Sequence, residues 1–61
     1  MNKTIIKSTE SGIEKNCDII LKNEKFLEVV IENTTIKILL RKNNNIYIGK
    51  YKDLEFTSTG N

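Results

Sequence analysis

The chain has 61 residues, a formal net charge of +2, and 38% apolar and 30% charged side chains, a balance typical of one globular domain and unlike that of a disordered segment. A chain this short hides only about 60% of the surface its unfolded form exposes. A single cysteine and no histidine exclude an internal disulfide and a structural zinc site as staples, which leaves a well-packed small barrel or association with a second chain.

The first twelve residues, MNKTIIKSTESG, hold no apolar run of signal-peptide length, and no later run is long enough for a transmembrane helix. The expected setting is therefore cytoplasmic, in keeping with the low cysteine content. Abundant Ile, Lys and Asn suggest an AT-rich coding genome, such as that of a low-GC bacterium or its phage. No repeat or linker divides the chain, so residues 1–61 are read as one domain.

Thr4 to Lys7 reads as a short strand at a sheet edge, and Ser8 to Gly12 as a loop. Asp18 to Lys22 reads as a second strand, favoured by β-branched Ile19 and Ile20. A helix from about Gly12 to Lys22 competes with it, which would make the fold α+β. Ile13, Cys17, Ile20 and Leu21 lie at helical spacing, and Ser11 with Glu14 forms a capping box. Cys17 reads as a small buried apolar residue, with Lys15 the one hint of a reactive thiol. Phe26 to Glu32 and Thr35 to Lys42 are the third and fourth strands. Asn43 to Asn45 is a loop, Ile46 to Lys52 a fifth strand and Leu54 to Thr57 a short sixth. Ser58 to Asn61 reads as a frayed tail.

Loop parity sets the register, because a one-residue slip moves every side chain to the other face. An even loop around Asn33-Thr34 sets Ile31 opposite Ile36, Val29 opposite Ile38 and Leu27 opposite Leu40. A three-residue loop of Asn43, Asn44 and Asn45, with Asn45 in the left-handed region, sets Leu40 opposite Ile48. An odd loop at Asn23 to Lys25 sets Ile19 opposite Val29 and Leu21 opposite Leu27. The three hairpins agree on a core row of Ile19, Leu21, Leu27, Val29, Ile31, Ile36, Ile38, Leu40, Ile46 and Ile48. The expected fold is an all-β antiparallel meander of five to six strands. It resembles small barrels of the SH3-like and OB type in its short strands, though no motif carries the likeness.

The opposite face is amphipathic. It carries Ile20, Phe26, Val30, Leu39, Tyr47 and Tyr51, with Glu28 and Glu32 on one strand and Lys37 and Arg41 on the next. Phe26 falls opposite Arg41, in reach of a cation–π contact of about 0.5–1 kcal/mol. Glu28 is diagonal to Lys37 and Arg41, and the bland reading of these charges is intra-sheet pairs of roughly 0.2–1 kcal/mol each. Charge is also segregated along the chain: residues 1–32 carry five lysines and six acids, residues 33–61 five bases and two acids. A contiguous apolar patch on a small protein marks an interaction site, and a self-complementary one suits a symmetric dimer. Phe26, Glu28, Val30, Glu32, Lys37, Leu39, Arg41, Tyr47 and Tyr51 are therefore the expected contacts for a partner, either a second copy in a homodimer or another protein.

Catalytic signatures are missing: no histidine base, no glycine-rich phosphate loop and no metal-ligand spacing. The expected function is non-enzymatic, with no cofactor or metal. It is that of a small protein-binding module, accessory or inhibitory, in the manner of phage-encoded inhibitors of host defence. The alternative is a small barrel that binds single-stranded nucleic acid, with Tyr47 and Tyr51 stacking bases and Lys37 and Arg41 meeting phosphate. A net charge of +2 and a pI near 8.8 are modest for that role.

Overall fold

The structure, a computed structural model, describes residues 2–61. Six strands follow one another: β1 (Lys3–Ser8), β2 (Glu14–Lys22), β3 (Phe26–Ile31), β4 (Lys37–Asn43), β5 (Ile46–Tyr51) and β6 (Leu54–Ser58). Each pairs antiparallel with its neighbour in sequence, and β1 pairs with β6 through Lys7↔Thr57 and Ser8↔Phe56. The meander thus closes into an up-and-down barrel. Closure removes the free sheet edges that would otherwise template aggregation. β1, expected at an edge, is the strand that closes the barrel.

Residues 14–22 are extended, not helical, which overturns the α+β alternative. β2 pairs with β1 from Lys3↔Asp18 to Lys7↔Glu14 and with β3 from Cys17↔Ile31 to Lys22↔Leu27. A strand hydrogen-bonded on both sides satisfies its backbone through non-local ladders, and these outweigh a weak local helical pattern.

Ile6, Cys17, Leu27, Val29, Ile38, Leu40, Tyr47 and Phe56 fill the interior, with Ile19, Ile31, Ile36 and Tyr51 packed against them. The β3–β4 register is the expected one: Leu27↔Leu40, Val29↔Ile38 and Phe26↔Arg41. Ile19↔Val29 also holds, but the ladder shifts between Ile19 and Leu21, so that Leu21 pairs with Glu28 and not with Leu27. The bulge inserts one extra residue and returns Leu21 to the outer surface, where it is 47% exposed.

The second correction lies between β4 and β5. Arg41 pairs with Ile48, Lys42 with Tyr47 and Asn43 with Ile46, across a two-residue loop of Asn44 and Asn45. Asn44, the first residue of that loop, holds the positive φ, at 61°, a conformation that asparagine tolerates. The shorter loop flips β5. Tyr47 points inward and is 3% exposed, while Ile46 and Ile48, expected in the core, are half-buried on the outer surface. The Tyr47 hydroxyl donates to the Asn23 carbonyl at 2.8 Å, tying β5 to the β2–β3 turn. Asn23 itself accepts from the Lys25 and Phe26 amides at 2.8 and 2.7 Å, a side-chain-closed turn.

β1 and β6 supply the rest of the interior. Thr4, Ile6 and Ser8 alternate inward on β1, and Phe56 and Ser58 do so on β6. The hydroxyls of Thr4 and Ser58 meet at 2.9 Å across the closing seam. No buried side-chain polar atom among the described residues lacks a partner, as buried polar groups require. Gly49 marks the closest approach of two strands: a Cβ there would sit 2.5 Å from the Leu39 carbonyl oxygen and 3.0 Å from Leu40 Cα. The expected frayed tail is instead docked. Gly60 is buried above the Tyr47 ring, donates to Ser58 Oγ at 3.0 Å and accepts from Lys22 Nζ at 2.9 Å.

Candidate protein-binding face

Period-2 alternation on β3 and β4 sends one row inward and the other outward, and the pairing fixes how the outer rows meet. Asp18, Val30 and Lys37 form one line across β2, β3 and β4. Leu21, Glu28 and Leu39 form the next. Phe26, Arg41 and Ile48 form the third, across β3, β4 and β5. Leu39 is 52% exposed and Ile20, at the bulge, 48% exposed, and Phe26, Val30 and Ile48 are half-buried. Charged and apolar side chains therefore alternate over one continuous surface.

Six of the nine expected contact residues share this face: Phe26, Glu28, Val30, Lys37, Leu39 and Arg41. Glu32 leaves it. Lys3 Nζ donates to Glu32 Oε2 at 2.6 Å and lies 3.4 Å from Asp18 Oδ1. The Glu32 bond first, then Asp18, hold the Lys3 ammonium above its ordinary pKa. Tyr47 and Tyr51 leave the face as well, because the one-residue register difference turns β5 over. Tyr47 is interior, and Tyr51 packs against the core. In their place stand Leu21, released by the bulge, and Ile48. Neither displacement is marked by a local sequence signal, since a bulge and a loop length are decided by the whole ladder.

The intra-sheet ion pairs expected among Glu28, Lys37 and Arg41 do not form. The ion pairs among the described residues are those of Lys3 with Asp18 and Glu32. Arg41 does stack on Phe26, with its guanidinium carbon 5.7 Å from the ring centroid, as the register requires. Polarity across the face is directional: the acid Glu28 lies on β3, and the bases Lys37 and Arg41 lie on β4.

Other features offer less. Cys17 is buried, its thiol pushed above the ordinary range by desolvation first and by the neighbouring Asp18 charge second, so Lys15 does not activate it. Among the described residues, no group of three or more His, Cys, Asp or Glu side chains is placed to hold a metal, and no helix is long and apolar enough to cross a membrane. Open grooves run along β1, one beside Ile5, Ile46 and Thr57, another beside Lys3, Asn16 and Glu32. A small apolar notch at one end of the barrel is lined by Ile13, Leu54 and Phe56, with Lys15 at its rim. No protein-family model, curated protein or solved structure matches the chain.

Proposed function

We propose that this protein is a non-enzymatic binding module that docks another polypeptide on the outer surface of β2, β3 and β4. The observation that carries the reading is the position of its apolar surface. The barrel fills its own interior and satisfies its buried polar groups, yet Ile20, Leu21 and Leu39 stay about half exposed around Glu28. Burying one such side chain fully stabilises a complex by about 1.5–3 kcal/mol, and contiguous patches of this kind mark interaction sites. A small accessory or inhibitory role, including that of a phage-encoded inhibitor of host defence, fits a chain whose single domain offers a surface and no enclosed cleft. The cytoplasm is the compartment in keeping with a lone buried thiol.

Binding of single-stranded nucleic acid is the weaker reading. Its aromatic pair lies away from Lys37 and Arg41, with Tyr47 buried and its hydroxyl engaged on Asn23, and the cations beside the two tyrosines are Lys42 and Lys52.

The test is affinity capture from the native host with three immobilised chains: the wild type, Leu39→Lys, and Ile5→Lys as a control on the outer surface of β1, outside the β2–β3–β4 face. A partner retained in stoichiometric amount by the wild type and by Ile5→Lys, and lost with Leu39→Lys, supports the reading. Equal retention by all three chains sinks it. Oligonucleotide binding in about 50 mM salt, where phosphate contacts are strongest, with no dependence on Leu39, would favour the nucleic-acid reading instead.

A further inference from the structure

We infer that the occupant of the β2–β3–β4 face is a second copy of this chain, in a symmetric dimer whose two-fold axis runs parallel to the strands between β3 and β4. The inference rests on the reading of this face as a docking surface and deepens it by naming the partner. Two copies packed face to face must be related by an axis lying in the interface plane, and two orientations respect the strand direction. An axis across the strands lays β3 on β3, which puts Glu28 over Glu28 and Lys37 and Arg41 over one another. An axis along the strands lays β3 of one copy on β4 of the other. Glu28 then lies over Leu39 of the second copy, with Lys37 on one side of it and Arg41 on the other, and this happens twice. Leu39 of each copy correspondingly lies over Glu28 of the other, flanked by Phe26 and Val30, because Leu39 pairs with Glu28 and those two residues bracket that acid on β3.

Three observations support this occupant. First, among the described residues Glu28, Lys37 and Arg41 make no ion pair within their own barrel, so their charges are available to a neighbour. Second, like charges are segregated by strand, which is the pattern that discriminates between the two axes; like-charge juxtaposition is what suppresses wrong arrangements. Third, the size fits. The molecule measures 26 × 26 × 17 Å, and a standard interface takes about 800 Å² per partner, roughly a fifth of the 4462 Å² surface of the chain. A dimer would also add to the stability of a barrel this short, which hides only about 60% of its unfolded surface.

The test is sedimentation equilibrium on the full chain from about 1 to about 500 μM, where mass action shifts a self-associating protein between states. It uses the wild type, Glu28→Lys, the double variant Lys37→Glu/Arg41→Glu, and an equimolar mixture of the two. All the changed residues are on the outer surface, and retention of the β-sheet circular dichroism spectrum confirms folding. The wild type is expected to dimerise. Each charge-reversed chain alone is expected to associate roughly 10–100-fold more weakly. Their mixture is expected to recover the wild-type dimer, because each interface again pairs opposite charges. A wild type that is monomeric throughout the range overturns the proposal, as does a mixture no more associated than its components. If the wild-type monomer still captures a host protein in a Leu39-dependent way, the binding-module reading stands and only the second copy is eliminated.

Discussion

Tyr47 is the residue on which the β5 register can be weighed. Its ring is 3% exposed and is covered by Gly60, and its hydroxyl donates to the Asn23 carbonyl at 2.8 Å. Truncating a buried aromatic to alanine costs about 3–5 kcal/mol. At roughly 0.05–0.15 kcal/mol per residue, a 61-residue domain has only about 3–9 kcal/mol to lose. Tyr47→Ala is therefore expected to remove between about a third and all of the chain's stability. Tyr47→Phe keeps the ring and removes one neutral hydrogen bond, worth about 0.5–1.5 kcal/mol. The Asn23 carbonyl sits in an exposed turn where water can replace the lost donor, so the lower half of that range applies. The matching fall in melting temperature is a few degrees, from about 4–8 °C per kcal/mol for a domain of this size. Ile48→Ala, on the outer surface, is expected to cost less than about 1 kcal/mol beyond any effect on association. Urea titration followed by far-ultraviolet circular dichroism measures all three. A three-residue loop at Asn43 to Asn45 would turn β5 over and reverse the order. An Ile48→Ala chain less stable than Tyr47→Ala would therefore refute the register and the interior built on it.

Gly49→Ala is expected to destabilise by about 1–3 kcal/mol or more, since its methyl group would meet the Leu39 carbonyl at 2.5 Å and backbone cannot rotate away; an unchanged urea midpoint would show that β4 and β5 are not so closely apposed. Cys17 is expected to resist thiol reagents in the native state and to react fully in urea, because it is buried; rapid native labelling would contradict its place in the core. Its folded pKa lies above its unfolded value. Folding therefore gains nothing from this group's titration below the unfolded pKa, and stability falls as pH rises from there to the folded pKa, because the unfolded chain releases the proton first. Cys17→Ala should flatten that alkaline decline, and an identical decline in both chains would contradict the assignment.

The register of the β3–β4 hairpin is legible in the sequence, although β3 stops at Ile31 and β4 begins only at Lys37. Its apolar row alternates without interruption, and an even loop admits one register, so Leu27, Val29, Ile38 and Leu40 could be placed inside and Phe26, Glu28, Val30, Lys37, Leu39 and Arg41 outside. The two misplacements have a common cause. Three consecutive asparagines serve a two-residue turn as well as a three-residue one, because any of them tolerates a positive φ, and only the barrel's need to bury Tyr47 selects between them. The bulge beside Ile20 is likewise a product of closure and not of local propensity, since strands that curl into so small a barrel must shift register somewhere. β1 reads as an edge strand because its inward row, Thr4, Ile6 and Ser8, is mostly hydroxylated and resembles a surface row. These hydroxyls belong inside only because Ser58 and the β1–β2 loop satisfy them. Alternation along β3 puts Glu32 on the second face, and the partner that draws it away, Lys3, comes from a strand remote in sequence.

Dilution of isotope-labelled protein, followed by two-dimensional amide NMR, tests the docking face residue by residue. Between about 500 and about 10 μM, shifts are expected to move at Leu21, Phe26, Glu28, Val30, Lys37, Leu39 and Arg41 as the dimer dissociates, and to stay fixed at Ile5, Ile13 and Leu54. A spectrum that does not change with concentration, or one that changes at Ile13 and Leu54 instead, would show that the molecule does not meet its own copy through β2, β3 and β4.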